Sequence, residues 1–128
     1  AFSKIGLIPD SGGTFFLTRL IGFQKATALM MLGDKVTAEE AEELGMIFKV
    51  ISSESFNEEV EKLAVKLANM PTKALGLIKE LLNKSNTNTL EQQLELEGKL
   101  QIEAALSEDY TEGVNAFMEK RKPIFKGK

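Results

Sequence analysis

From Phe56 onward the chain leaves room for little but helix. Phe56, Val60, Leu63, Ala64, Leu67 and Ala68 recur at the spacing that lines one helix face, and Pro71 closes that run or opens the next. Thr72 to about Asn83 carries Leu75, Ile78, Leu81 and Leu82 on one side, and Ser85-Asn86-Thr87-Asn88 is a polar linker. Thr89 then caps a long helix bearing Leu90, Leu94, Leu96, Leu100, Ile102, Ala105 and Leu106, whose apolar positions wrap around more than one face. A helix apolar on two sides has two neighbours, and in a chain this small one of them is expected to be another subunit. The last helix is expected from about Ser107 to Lys122, with Tyr110, Val114, Phe117 and Met118 inward and Pro123 ending it.

The first third is more broken. Asp10 or Ser11 is expected to cap a helix through about Ile21, which Gly22 stops, and a second helix runs from about Gln24 to Leu32 before Gly33-Asp34. Thr37-Ala38-Glu39-Glu40 has the Thr-x-x-Glu pattern of a capping box and starts a short helix that Gly45 ends. Met46 to Ile51 has the β-branched and aromatic content of a short strand. The expected fold class is therefore mainly α with one or two short strands.

Composition removes whole classes of chemistry. The chain has no Cys and no His, so disulfides, thiolate metal sites, the Ser-His-Asp triad and the usual near-neutral proton shuttle are all excluded. Carboxylates and Lys remain as acid-base groups. A net charge of -3 gives no overall basic field for nucleic acid, and no apolar run is long enough to cross a bilayer. No nucleic-acid or membrane partner, no metal and a cytoplasmic protein are the expectations. The start, Ala1-Phe2-Ser3-Lys4-Ile5, reads as the tail of an element already under way, which is the pattern expected of part of a longer chain.

The residue with most chemical potential is Asp10, set in Gly6-Leu7-Ile8-Pro9-Asp10-Ser11-Gly12-Gly13-Thr14. Asp-Ser-Gly-Gly also has the form of a serine-protease nucleophile signature, but the His base is absent. A phosphate-loop reading lacks the Gly-Lys-Ser/Thr ending that carries its mechanism. Two readings stay open: a helix cap, or a catalytic base whose carboxylate is raised toward working pH by an apolar pocket near Ile5, Ile8 and Phe15.

Five blocks in order resemble the crotonase superfamily, the enoyl-CoA hydratase/isomerases. They are residues 6–14, Leu17-Thr18-Arg19-Leu20-Ile21-Gly22, Gly33-Asp34-Lys35-Val36-Thr37-Ala38-Glu39-Glu40-Ala41, Leu44-Gly45-Met46-Ile47, and Glu112-Gly113-Val114-Asn115-Ala116-Phe117-Met118-Glu119-Lys120-Arg121. The resemblance implies the C-terminal part of the α/β crotonase (ββα spiral) fold, with residues 1–53 ending the spiral core and residues 54–128 forming the helical trimerisation region. It implies an acyl-CoA thioester as substrate, coenzyme A entering only as part of that substrate, and a homotrimer or dimer of trimers. Hydratases of the family use two glutamates, one eight positions before the site of Asp10, where this chain has Phe2. A carboxylate at position 10 resembles the isomerase branch, and residues 1–14 with Asn88-Thr89-Leu90 and Asp109-Tyr110 are most similar to its members in phenylacetate breakdown. Asp10 is then the catalytic base, and Phe117 and Lys120 reach the CoA moiety, Lys120 near phosphate. The plainer alternative makes Phe117 core and Lys120-Arg121-Lys122 a solvated basic helix end. The oxyanion donors are implied to lie upstream of Ala1, so residues 1–128 alone are expected to be inactive. The competing expectations are a Δ3-Δ2 enoyl-CoA isomerase, an enoyl-CoA hydratase, or a noncatalytic helical oligomerisation module.

Overall fold

The computed structural model describes residues 2–128. Among them it forms a 3-10 turn, Phe2–Ile5, and seven α-helices: α1 (Gly13–Ile21), α2 (Phe23–Leu32), α3 (Ala38–Glu43), α4 (Phe56–Ala68), α5 (Thr72–Ser85), α6 (Leu90–Ala105) and α7 (Glu108–Met118). They fall into two compact units, one ending at Ser55 and the other spanning Phe56–Lys128. In the first, α1 and the 3-10 turn pack on α2; in the second, α5 packs on α6 and α6 on α7.

The helices begin where local chemistry allows. Thr37 Oγ1 accepts the Glu40 N–H at 3.1 Å while the Glu40 carboxylate accepts the Thr37 N–H at 2.9 Å. Thr89 and Gln92 repeat the arrangement at α6, with 3.3 and 2.9 Å. Ser107 Oγ accepts the Tyr110 N–H at 3.0 Å and starts α7. Each such cap satisfies an amide that the first helical turn leaves unpaired and contributes about 1 kcal/mol.

The expected strands, and with them the partial spiral, are absent: no described residue is in a β-strand. Met46 to Ile51 has strand composition but no neighbouring strand to pair with, and composition without a ladder does not make a strand. Its amides go elsewhere. The Met46 N–H bonds the Ala41 carbonyl at 2.8 Å, closing the end of α3, and the Val50 N–H bonds the Glu42 carboxylate at 2.9 Å. The last helix is also shorter than its apolar pattern, ending at Met118 and not at Lys122.

Burial is shallow. Ala26, Leu100 and Ala116 are the buried apolar residues among those described, whereas Leu94, Ile102, Leu106 and Phe117 are exposed. The accessible surface is 10244 Å². Two separate globules of the units' sizes would expose about 8000 Å² together. On α6, expected from its sequence to be apolar on more than one face, Leu90, Leu94 and Ile102 are uncovered.

Candidate functional site

In the first unit, the turn before α1 does not do what its residues suggest. Neither Asp10 nor Ser11 caps the helix: the cap position is Gly12, with no side-chain bond to the helix amides. Ser11 has φ 53° and Gly12 φ 78°, so two successive left-handed residues turn the chain into α1. Gly12 is required there, because a Cβ would lie 3.0 Å from the Phe16 ring on a backbone that side chains rarely adopt. The Asp10 Oδ1 accepts the Ser11 hydroxyl at 3.2 Å.

Asp10 lines a cavity of about 410 Å³ with Phe2, Pro9, Gly13, Phe16, Leu17, Leu20, Leu29, Met30, Val36 and Met46. It is the single ionisable side chain among these residues. The apolar wall therefore exists, but from different residues than expected. Ile5 and Ile8 are exposed, and Phe15 lies under the Arg19 guanidinium, 3.4 Å from its ring centre. Asp10 itself is exposed, so the expected desolvation is not supplied by the described residues. Phe2 and Asp10, eight positions apart, are brought to one cavity.

In the second unit, an apolar cavity of about 390 Å³ lies among Pro71 and Ala74 of the α5 end, Ala104, Tyr110, Val114 and Phe117, with Phe125 closing one side. Phe117 is 82% exposed and is not core in this structure. Lys120 lines neither cavity; it is the left-handed residue just past α7, with φ 54°. Its N–H bonds the Phe117 carbonyl at 3.2 Å and the Arg121 N–H bonds the Ala116 carbonyl at 3.0 Å, the paired bonds of a Schellman motif with lysine where glycine is usual.

Arg121 is exposed, as a basic helix end would be, but it is also paired. Its guanidinium forks onto Glu112 at 2.6 and 2.9 Å and reaches Glu119 at 2.6 Å. Glu112 also accepts the Ile124 N–H at 2.8 Å. The Arg121 bonds, then the Ile124 amide, hold the Glu112 carboxyl well below the usual carboxylate value, at about 2. The same bonds push Arg121 upward. Asp109, 3% exposed, accepts the Lys126 and Gly127 N–H groups at 2.6 and 2.8 Å. Glu112 and Asp109 as a clamp on the last eight residues escaped the sequence reading. The available signal was an arginine near a helix end followed by Pro123, which cannot continue that helix.

No helix among the described residues is long and apolar enough to cross a membrane, and no group of His, Cys, Asp and Glu among them is arranged to hold a metal.

Comparison with known proteins shows what the chain as a whole resembles. The chain is 50% identical over 128 residues to the 1,2-epoxyphenylacetyl-CoA isomerase of Escherichia coli (strain K12), covering 100% of this chain and 49% of that protein. It is 38% identical over 128 residues to the trans-2-decenoyl-acyl-carrier-protein isomerase of Streptococcus mutans, covering 100% and 49%. Among solved structures, an enoyl-CoA hydratase subunit I from Geobacillus kaustophilus HTA426 superposes with a TM-score of 0.94 at 42% identity, over 99% of this chain and 49% of that one. The chain thus spans about half the length of the relatives it matches. The sequence model of the family Enoyl-CoA hydratase/isomerase matches residues 1–128, and the chain belongs to that family.

Proposed function

We propose that these residues form part of an acyl-CoA isomerase in which Asp10 moves a proton on a coenzyme A thioester through an enolate. The observation that carries this reading is a lone carboxylate, released from helix capping, at an otherwise apolar cavity whose other candidate proton-carrying position is Phe2. Water addition needs a second acid-base group, whereas relocating a proton needs one group that gives back what it takes. Removing a proton next to a thioester, or vinylogous with it, places negative charge on the thioester oxygen, so hydrogen-bond donors must face that oxygen. In this reading the donors are backbone N–H groups contributed from outside residues 1–128. Closure of the cavity by an acyl chain, and by the rest of the enzyme, excludes water from Asp10 and supplies the desolvation that the described residues leave out.

The substrate we propose is 2-(1,2-epoxy-1,2-dihydrophenyl)acetyl-CoA of phenylacetate catabolism, rearranged to its seven-membered oxepin thioester. The 50% identity to the isomerase of that name supports it. Phe117, exposed beside the apolar cavity of the second unit, is assigned to the pantetheine or adenine, and Lys120 to a phosphate of coenzyme A. The uncovered apolar faces of α6 and α7 support assembly as a homotrimer or a dimer of trimers. The test is to supply the full-length protein with the epoxide thioester and follow the oxepin product by chromatography and mass. Conversion is the expected result; recovery of the epoxide thioester unchanged, by a protein that adds water to a 2-enoyl-CoA supplied in its place, would contradict it.

A further inference from the structure

The last eight residues do not leave α7 but run back along it, and the contacts follow in order. Arg121 and then Ile124 bond Glu112; Lys126 and Gly127 bond Asp109, one turn nearer the helix start; and the Lys128 carbonyl accepts the Asp109 N–H at 3.0 Å. Gly127 has φ 77°, and a Cβ there would collide with Thr72 Oγ1, so this segment is also fitted against α5. Lys120 stands at the fold of this hairpin. Its φ of 54° is costly for any residue with a side chain and persists only where its surroundings hold it. Those surroundings are two Schellman bonds on one side and, on the other, an arginine gripped by Glu112 at two points and by Glu119 at a third.

We infer that Glu112 is a positioning residue for Lys120: by gripping Arg121 with a two-pronged bond it holds Lys120 in its left-handed conformation, and so sets the place at which the lysine meets the phosphates of a coenzyme A thioester. The inference rests on the assignment of Lys120 to phosphate. Glu112 touches no substrate in this scheme; it acts through Arg121. A two-pronged guanidinium–carboxylate bond fixes direction as well as distance, which a lysine or an amide in the pair does not reproduce.

The test uses the full-length protein and two thioesters of one acyl group, the coenzyme A thioester and the N-acetylcysteamine thioester, which lacks the phosphates. Glu112→Gln keeps the shape and one acceptor for the Ile124 amide. It is expected to raise KM for the coenzyme A thioester about three- to ten-fold, the net worth of one ordinary hydrogen bond, with kcat unchanged and no change in KM for the short thioester. Arg121→Lys is expected to give the same pattern from the other end of the pair. On a Lys120→Ala background, Glu112→Gln should add nothing further, since both act through one contact. An equal rise in KM for both thioesters, or full additivity with Lys120→Ala, overturns the inference. If Lys120→Ala raises KM for the coenzyme A thioester while Glu112→Gln leaves it unchanged, the inference fails alone. If Lys120→Ala itself has no effect, the phosphate assignment fails and takes the inference with it.

Discussion

Replacing Asp109 by Asn tests the C-terminal clamp at its buried end. Asp109 is 3% exposed, and its two carboxylate oxygens accept the Lys126 and Gly127 amides at 2.6 and 2.8 Å. The asparagine offers one oxygen and one NH2, so one of the two backbone donors faces another donor and goes unpaired, at about 1–3 kcal/mol. The remaining bond loses its charge assistance, about 1 kcal/mol more. The docking of residues 124–128 on α7 should therefore weaken by about 2–4 kcal/mol. Hydrogen–deuterium exchange of the Lys126 and Gly127 amides in the full-length protein reads this directly. Protection should fall by roughly 30- to 1000-fold for Asp109→Asn, while amides inside α5 and α6 keep theirs. Unchanged protection at Lys126 and Gly127 in a folded variant would refute the reasoning, because it would mean that the segment is held by something other than these two bonds.

The other consequences are equally specific. Because Glu112 titrates at about 2 and not at the usual 4.5, its contribution to stability is fully present above about pH 4.5 and is lost as pH falls toward 2. The gap in denaturation midpoint between wild type and Glu112→Gln should then be widest near neutrality and close on acidification, and a gap that widens in acid would contradict the sign. Gly127→Ala should destabilise the second unit, since the added Cβ meets Thr72 Oγ1 on a left-handed backbone, and thermal melting should show that Thr72→Ala recovers only part of the loss. Lys120→Gly should raise stability by about 1 kcal/mol by relieving the left-handed residue, while weakening coenzyme A thioester binding in a titration; tighter binding would sink the assignment of Lys120.

Features set by nearby residues were the legible ones. The capping boxes at Thr37 and Thr89 complete themselves within four residues, so pattern and structure coincide there. Met46–Ile51 shows the opposite: strand composition says nothing about whether a partner strand is within reach, and here none is described. At Asp10 the sequence marks a carboxylate before a helix, but whether it caps depends on backbone angles at Ser11 and Gly12 that either reading allows. The clamp was hidden because Glu112 and Arg121 are nine residues apart and Asp109 and Gly127 eighteen, joined across a turn with no periodicity to announce it. The exposed face of α6 was legible as a two-sided apolar pattern, because such a pattern records more apolar surface than one neighbouring helix covers.

Whether Asp10 carries the proton is measured most directly by isotope exchange. The full-length protein is incubated in deuterated buffer with a coenzyme A thioester, and deuterium entering the acyl chain is followed by mass. Wild type should exchange the acyl proton, and Asp10→Asn should slow exchange by about 100-fold or more, the usual scale for loss of a general base, while the thioester dissociation constant stays within about three-fold of wild type. Exchange at the wild-type rate in Asp10→Asn would contradict the assignment of Asp10 as the base.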